Sequence, residues 1–210
     1  MSENNDITDL RIERYERLMS ASQLQQFIPR SEKARQTVLM GRRGIEDILD
    51  HKDSRIFINL GECSTHDATA TLELARYIGE IAHQVSDRMV IINRKHFEKP
   101  RTGTGWEGLI VDPHMDGSED MAQGLQWARL ILLNTLEVGL PCSTEYVDTF
   151  VPQFTSDLVS LAAIGARTSY SQMHRRLASG LSMPVGIKND THGDVSVAVN
   201  GVIYARKEHS

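Results

Sequence analysis

The sequence MVIINRKHFEKPR, residues 89–101, joins an apolar run to a cluster of charge. Its first part, Met89 to Asn93, has the apolar, β-branched composition of a buried strand. The eight residues that follow, Arg94 to Arg101, contain four basic side chains and one acid. Because the chain as a whole is acidic, with a formal net charge of −5, this positive charge is local. Such a cluster at the end of a strand indicates a site for a small anionic ligand.

The same change from an apolar run to a polar end recurs along the rest of the chain. Short β-rich segments alternate with longer segments whose apolar residues recur at helical spacing. The predicted strands lie in RIFINLGECS (55–64), MVIINRKHF (89–97), LPCSTEYV (140–147), AAIGAR (162–167) and PVGIKND (184–190). The predicted helices between them lie in residues 68–87, 118–139, 152–162 and 169–180. Strands that alternate with helices in this way predict a parallel sheet covered by helices.

The first fifty residues have a different composition, which is polar and rich in charge. LRIERYERLM (10–19) and SEKARQTVLMGRRGIEDILDH (31–51) place apolar residues at helical intervals. Pro29 stands just before Ser31, which is a suitable first residue for the second of these helices. We therefore expect residues 1–50 to form a helical extension and residues 51–210 to form the parallel α/β part of the chain.

Composition limits the classes of function and location. The chain has 210 residues, of which 40% are hydrophobic and 24% charged, as expected for a globular protein. Its negative charge argues against nucleic-acid binding through bulk electrostatics. No apolar run reaches the roughly 18 residues of a membrane span, and MSENNDITDL is too acidic for a signal peptide. Cys63 and Cys142 lack the spacing of a disulfide framework or a zinc finger. We expect a cytoplasmic protein without nucleic-acid or membrane partners.

Residues capable of chemistry stand at the C-terminal end of each predicted strand. They are Cys63 after the first strand, Arg94, Lys99 and Arg101 after the second, Glu145 in the third, Arg167 after the fourth and Lys188 after the fifth. Ligands of parallel α/β folds bind at the carboxyl ends of the strands, so these side chains should meet. Each basic residue alone suits a solvated surface, but gathered like charges repel one another unless an anion lies among them.

Cys63 has more than one interpretation. A cysteine near a strand is most often a small buried hydrophobic residue. Its position at a strand end, beside Ser64 and Asp67, also suits a metal ligand or a nucleophile. The pattern alone leaves these alternatives open.

Three segments together resemble the type I 3-deoxy-D-arabino-heptulosonate 7-phosphate (DAHP) synthases. They are GECSTHD (61–67), RKHFEKPRTGTGWEGLIVDPHMD (94–116) and IGARTSYSQMHRRLASGLSMPVGIKN (164–189). The likeness continues in order from about residue 10 to about residue 200. The resemblance implies a (β/α)8 TIM barrel with an N-terminal helical extension, of which this chain contains about the first five β/α units. It also implies a metal-dependent enzyme that condenses phosphoenolpyruvate with erythrose 4-phosphate, the first step of the shikimate pathway to the aromatic amino acids.

The resemblance further implies roles for individual residues. The phosphoenolpyruvate site is matched by Arg94, Lys99, Arg167 and Lys188, and Glu145 matches an acidic residue that lines this pocket. The site for the phosphate of erythrose 4-phosphate is matched by Arg101 and Thr102. Cys63 matches one ligand of a divalent metal ion (Mn, Fe, Co or Zn). The metal ion would polarise the aldehyde, and Lys99 would donate a proton to the new hydroxyl group. Arginine suits such a site because its planar fork binds phosphate oxygens in pairs.

Some positions depart from the family's usual pattern. Glu62 and Thr65 replace a proline and an isoleucine, Lys95 and His96 stand where a small apolar and an aromatic residue are common, Tyr170 replaces an acid, and Asp190 replaces a glycine. None of these positions is among those matched to a substrate or to the metal ion. The departures indicate a divergent paralogue.

The chain contains fewer predicted strands than the family's barrel and ends close to the helix after the fifth strand. In the family, the remaining metal ligands and a further phosphate-binding arginine come from later strands. We expect part of a longer, homo-oligomeric synthase, and residues 1–210 alone to be inactive. Two alternatives stay open: a truncated, non-catalytic phosphate-binding or regulatory paralogue that pairs with a full-length synthase, and a related 3-deoxy-sugar-acid phosphate synthase. KPRT and GARTSYSQ argue against the second alternative.

Overall fold

A computed structural model describes residues 7–208 of the chain as one parallel sheet covered by helices. The sheet contains β1 (Ile56–Leu60), β2 (Met89–Arg94), β3 (Cys142–Tyr146), β4 (Leu161–Ile164) and β5 (Val185–Ile187). The five strands lie side by side in chain order, and each neighbouring pair is parallel. The predicted strands and their parallel pairing are confirmed. Closure into a complete barrel is not part of this structure.

The helices account for the crossovers that parallel strands require. They are α1 (Ala21–Phe27) and α2 (Glu32–Leu49) before the sheet, α3 (Ala68–Gln84) between β1 and β2, α4 (Met121–Glu137) between β2 and β3, the single turn α5 (Pro152–Thr155) between β3 and β4, α6 (Gln172–Gly180) between β4 and β5, and α7 (Val195–Ala205) after β5. Among the described residues 7–208, none of these helices combines the length and the hydrophobicity needed to cross a membrane.

Two helix predictions were wrong in part. Residues 10–19 form no helix, because side chains such as Leu10 (70% exposed) and Tyr15 (75% exposed) have no apolar surface to cover. Residues 152–162 contain only α5 and a 3-10 turn at Ser156–Leu158. The chain then becomes extended at Val159 and enters β4, because buried β-branched residues favour a strand there.

The predicted start of α2 is confirmed, since the Ser31 side chain accepts a hydrogen bond from the backbone of Ala34. Helices α2 and α4 pack in one hydrophobic cluster with β4, through residues such as Val38, Leu132 and Ala162. A smaller cluster joins α3 to β2, so helices from both parts of the chain stabilise the same sheet.

The register of the strands decides which side chains share a face. Arg94 pairs with Ser143 of β3, whereas Asn93 pairs with Cys142. Because successive residues of a strand point to opposite faces, Arg94 and Glu145 share one face and Cys142 lies on the other. Lys188 follows β5 at the position that shares the face of Arg94. The buried Cys142 packs into the hydrophobic cluster, where burial raises the pKa of its thiol to about 12.

Candidate anion-binding site at the carboxyl edge of the sheet

The loops that follow β1 and β2 pack closely around Arg94, the last residue of β2. The Arg94 guanidinium donates from Nη1 to the carbonyl of Glu62 (3.3 Å), and its Nε lies within hydrogen-bonding distance of Nε2 of His96 (3.2 Å). The loops approach so closely that a Cβ on Gly61 would lie 2.4 Å from the Arg94 carbonyl oxygen. A glycine is therefore required at this position, and Arg94 is held from two sides.

Lys99 lies against the loop that carries Cys63. Its Nζ donates to the Cys63 carbonyl and lies 3.9 Å from the Cys63 sulfur. Burial lowers the pKa of Lys99, and the positive charges of Arg94 and Arg101 lower it further. Lys99 therefore gives up its proton more readily than a free lysine does.

Glu145 is the acidic residue of the site. Its side chain is 7% exposed, and its Oε2 pairs with the ammonium of Lys188, whose side chain is 44% exposed. A Cβ on Gly165, which directly follows β4, would lie 2.3 Å from Glu145 Oε1, so only glycine leaves room for the carboxylate. The pair therefore presents a cation to solvent above a buried carboxylate.

The loop that contains the KPRT segment reaches the end of β4. Nε of Arg167 donates to the Thr102 hydroxyl oxygen (2.9 Å), and Nε of Arg101 donates to the Trp106 carbonyl (2.7 Å). Both guanidinium groups are exposed, which leaves further N–H donors facing solvent. The structure thus brings the predicted basic residues to one edge of the sheet.

Cys63 lies in the loop after β1. The thiol is exposed, so its interpretation as a buried hydrophobic residue is wrong. Among residues 7–208, however, no three His, Cys, Asp or Glu side chains are grouped so that they could hold a metal ion. Cys63 is available as one ligand, but the described residues do not by themselves fit a metal ion.

Sequence reasoning did not assign a role to two buried residues beside the site, His96 and Glu98. Burial lowers the pKa of His96 to about 3, and the nearby charges of Arg94, Lys188 and Lys99 act in the same direction. Burial raises the pKa of Glu98 to about 7. The alternation of β2, continued past Arg94, would have placed His96 on the face of the site.

Positions that depart from the family's usual pattern contact one another. Oε1 of Glu62 accepts hydrogen bonds from Lys95 (3.2 Å), Thr65 (3.1 Å) and Thr71 (3.0 Å). This cluster includes three of the departures. Tyr170 and Asp190, which are two more, share a hydrogen bond of 3.1 Å. Glu62, Thr65 and Lys95 thus form one hydrogen-bonded group, and Tyr170 and Asp190 form another.

A parallel sheet covered by helices, with basic side chains at its carboxyl edge, defines the class as a parallel α/β protein. The model of the DAHP synthetase I family matches residues 24–210. The chain belongs to this family.

Two individual proteins and one solved structure that resemble this chain indicate the same family. The Tyr-sensitive phospho-2-dehydro-3-deoxyheptonate aldolase of Escherichia coli K12 is 46% identical over 206 residues, which are 98% of this chain and 56% of that protein. The Phe-sensitive enzyme of the same strain is 44% identical, over 100% of this chain and 59% of that protein. The solved structure of the Francisella tularensis SCHU S4 aldolase superposes with a TM-score of 0.92 at 42% identity, covering 94% of this chain and 58% of that one. The chain thus spans less than two thirds of the length of these relatives.

Proposed function

We propose that this chain provides the substrate-binding β/α units of a DAHP synthase, which condenses phosphoenolpyruvate with erythrose 4-phosphate to DAHP and phosphate. The observation that carries the proposal is the set of basic side chains around the buried Glu145 at the carboxyl edge of the sheet. The relatives named above are aldolases matched along almost all of this chain, which does not favour the non-catalytic alternative.

The proposal extends to architecture and assembly. Residues 1–50 would form the N-terminal helical extension of a (β/α)8 barrel, and residues 51–210 its first five β/α units. Such a barrel would act as a homo-oligomer. The high TM-score to an aldolase of greater length supports the shared architecture.

The two substrates carry different anionic groups, which suit different parts of the site. Phosphoenolpyruvate has a phosphate and a carboxylate, and we assign these to Arg94, Lys99, Arg167 and Lys188. Arg101 and Thr102 would bind the phosphate of erythrose 4-phosphate. Lys188 and Arg167 are held by Glu145 and Thr102 in this structure, so an incoming anion would exchange these contacts for charged hydrogen bonds.

The reaction requires one new carbon–carbon bond and one proton at the aldehyde oxygen. The methylene carbon of phosphoenolpyruvate attacks the aldehyde carbon of erythrose 4-phosphate, and the electron pair of the C=O bond moves to its oxygen. Lys99 donates the proton to this oxygen, and its lowered pKa favours the transfer. The attack leaves a positive charge on the carbon that bears the phosphate, and water adds there and gives up one proton. The C–O bond to the phosphate then breaks, the remaining hydroxyl loses its proton, and DAHP keeps the ketone while phosphate departs.

Cys63 would supply one ligand of a divalent metal ion (Mn, Fe, Co or Zn). Such an ion, when bound, supplies Lewis-acid chemistry. No step is assigned to it, because the described residues provide no complete set of ligands.

Kinetics of the full-length protein test the division of the two substrates. Arg167→Ala should raise the KM of phosphoenolpyruvate, and Arg101→Ala that of erythrose 4-phosphate. Each effect should be roughly 10- to 150-fold, because one charged hydrogen bond contributes about 1.5–3 kcal/mol. The measurement is phosphate release while one substrate is varied at saturating concentration of the other.

Arg35→Ala is the matched control, since Arg35 is an exposed arginine of α2 that pairs with Glu32. It should leave both KM values unchanged. If Arg167→Ala and Arg101→Ala changed both KM values equally, the proposed division would be wrong. If the wild-type protein bound neither substrate, the proposed function itself would be wrong.

A further inference from the structure

His96 contacts Arg94 with both nitrogens of its ring. Nε of Arg94 lies 3.2 Å from Nε2, and Nη2 of Arg94 lies 3.1 Å from Nδ1. The imidazole is 6% exposed, so solvent hardly competes for these contacts. His96 is therefore a partner of the arginine that ends β2.

The backbone around His96 is held on both sides. Its carbonyl accepts a hydrogen bond from the Thr65 amide (3.0 Å), in the loop after β1. The amide of the preceding residue, Lys95, donates to the Ser143 carbonyl of β3 (2.8 Å). These bonds continue the sheet past Arg94 and place the imidazole and the guanidinium on the same face.

The charge state of the ring suits an acceptor. Burial is the largest cause that lowers the pKa of His96 to about 3, followed by the charges of Arg94, Lys188 and Lys99. The imidazole is therefore neutral at the pH of an enzyme assay. A neutral imidazole has one nitrogen that accepts, so it accepts a hydrogen bond from Nε or from Nη2 of Arg94.

The remaining donors of Arg94 lie on its two terminal nitrogens. A guanidinium has five N–H donors. The Glu62 carbonyl takes one from Nη1 and His96 takes one from the Nε–Nη2 edge. N–H groups remain on both terminal nitrogens, which together form the fork that binds a phosphate or a carboxylate in a bidentate manner.

We propose that His96 is a positioning residue: it fixes the plane of the Arg94 guanidinium so that its free fork faces the phosphate or carboxylate of phosphoenolpyruvate. This inference rests on the proposed function. The family resemblance does not supply it, because His96 is one of the positions that depart from the family's usual pattern.

The experiment compares His96→Phe with His96→Gln in the full-length protein. Phenylalanine keeps a planar ring and removes the acceptor, whereas glutamine restores an acceptor through its amide oxygen. The probe is phosphoenolpyruvate alone, titrated against tryptophan fluorescence. We expect His96→Phe to weaken its binding about 3- to 10-fold, the value of one neutral hydrogen bond, and His96→Gln to recover most of this loss. The KM of erythrose 4-phosphate should not change.

A second readout reports the contact itself, without ligand. The Nε–H resonance of Arg94, assigned by its loss in Arg94→Lys, should shift in His96→Phe. His114→Phe is the control, since His114 packs edge-on against Trp127, with ring centroids 5.3 Å apart, and its Nε2 lies 3.8 Å from Asp120 Oδ2. It should leave this resonance and phosphoenolpyruvate binding unchanged. If His96→Phe does not fold, the flexible His96→Met replaces it, because methionine also lacks a nitrogen acceptor.

The outcomes separate the two proposals. If the wild-type protein binds phosphoenolpyruvate and His96→Phe changes neither this binding nor the Arg94 resonance, the positioning role is wrong and the proposed function stands. Equal losses in His96→Phe and His96→Gln also overturn the positioning role, because they indicate a need for the imidazole volume and not for an acceptor. Failure of the wild-type protein to bind phosphoenolpyruvate overturns the proposed function and this inference with it.

Discussion

Two lysine–glutamate pairs lie near the carboxyl edge of the sheet, one behind it and one in the proposed site. Lys95 pairs with Glu62 on the face covered by helices, where the lysine side chain is 0% exposed and the glutamate 18%. Lys188 pairs with Glu145 on the face of the site, where the lysine is 44% exposed and the glutamate 7%. The two pairs are chemically alike, but the lysine is the more buried partner in the first pair and the glutamate is the more buried partner in the second.

The buried partner decides what each pair can do. Lys95 has left water completely, and its ammonium depends on Glu62, which also accepts from Thr65 and Thr71. Exchange of this contact for a ligand would leave an uncompensated charge in the protein. Lys188 keeps part of its surface in water and can turn to a bound anion. The first pair therefore stabilises the fold, and the second is suited to binding.

The largest predicted effect follows from breaking the buried pair. Lys95→Met should lower the free energy of unfolding by about 3–5 kcal/mol, because Glu62 would keep a charge without its cation. Urea unfolding of the full-length protein, followed by circular dichroism, measures the change. A loss below about 1 kcal/mol would contradict the assignment of this pair as structural.

The double variant Lys95→Met with Glu62→Leu is the control for this prediction. It removes both charges and should recover part of the stability, since apolar residues often replace buried ion pairs without cost, although the buried hydroxyls of Thr65 and Thr71 lose their acceptor. Among residues 7–208, Oε2 of Glu62 is also buried without a hydrogen-bond partner. Glu62→Leu removes this unsatisfied atom, which favours the folded state. A double variant as unstable as Lys95→Met would show that the charge is not the cause.

Glu98 is a third carboxylate at the same edge, and it is bound by backbone amides instead of a lysine. Its oxygens accept from the amides of Val147 (3.3 Å) and Asp148 (2.8 Å). Burial nevertheless raises the pKa of Glu98 from 4.5 to about 7. The protonated form is thus favoured in the folded state, so its contribution to stability is complete below about pH 4.5 and is lost as the pH rises through about 7.

The expected loss over this range is on the order of 3 kcal/mol, since one pKa unit corresponds to about 1.4 kcal/mol. The measurement is the free energy of unfolding between pH 4.5 and pH 8. Glu98→Gln should flatten the profile over this range, while Glu107→Gln, in the exposed loop, should leave it unchanged. A profile that has the same slope in wild type and Glu98→Gln would exclude Glu98 as its source.

Part of this arrangement could be predicted from the sequence. The alternation of strands and helices predicts the sheet, and the period of two within a strand places Arg94 and Glu145 on one face. Both are local patterns. The opposite charges of Glu62 and Lys95, which replace uncharged residues of the family pattern, were a further signal of a pair, although 33 positions separate them.

Other features depend on contacts that no local pattern contains. The helical spacing of residues 10–19 predicts a helix only if a surface covers its apolar side, and in the structure Arg14 bonds instead to the Ser118 carbonyl (2.7 Å). The contact between Thr102 and Arg167 joins two loops 65 positions apart. The exposure of the Cys63 thiol depends in the same way on how the loop after β1 packs.

The solvent-facing pair should respond to substitution in the opposite way from the buried one. Lys188→Met should weaken phosphoenolpyruvate binding by about 1.5–3 kcal/mol, the value of a charged hydrogen bond. Its effect on unfolding should be smaller than that of Lys95→Met, because the buried Glu145 carboxylate still interacts with the positive charge of Lys99. Fluorescence titration and urea unfolding of the same sample give both numbers, and Lys33→Met on the exposed face of α2 is the control. A variant that loses stability but binds normally would reverse the assignment of the two pairs.

The smallest predicted effect concerns Tyr170 and Asp190, which depart together from the family pattern as Glu62 and Lys95 do. The Tyr170 hydroxyl donates to Asp190 Oδ2, but Oδ1 already accepts from the amides of His192 (2.9 Å) and Asp194 (2.8 Å). These backbone bonds lower the pKa of Asp190 and satisfy its carboxylate without the tyrosine. Since Tyr170 is 62% exposed, water can replace its hydroxyl in Tyr170→Phe. The free energy of unfolding should therefore fall by less than about 1 kcal/mol.

Asp190→Ala, which leaves both amides without their acceptor, should cost more than Tyr170→Phe in the same urea experiment. If the two variants were equally unstable, the Tyr170 hydroxyl would be essential to the loop that contains Asp190. Residues that depart together from the family pattern would then stabilise this protein at exposed positions as well as at buried ones.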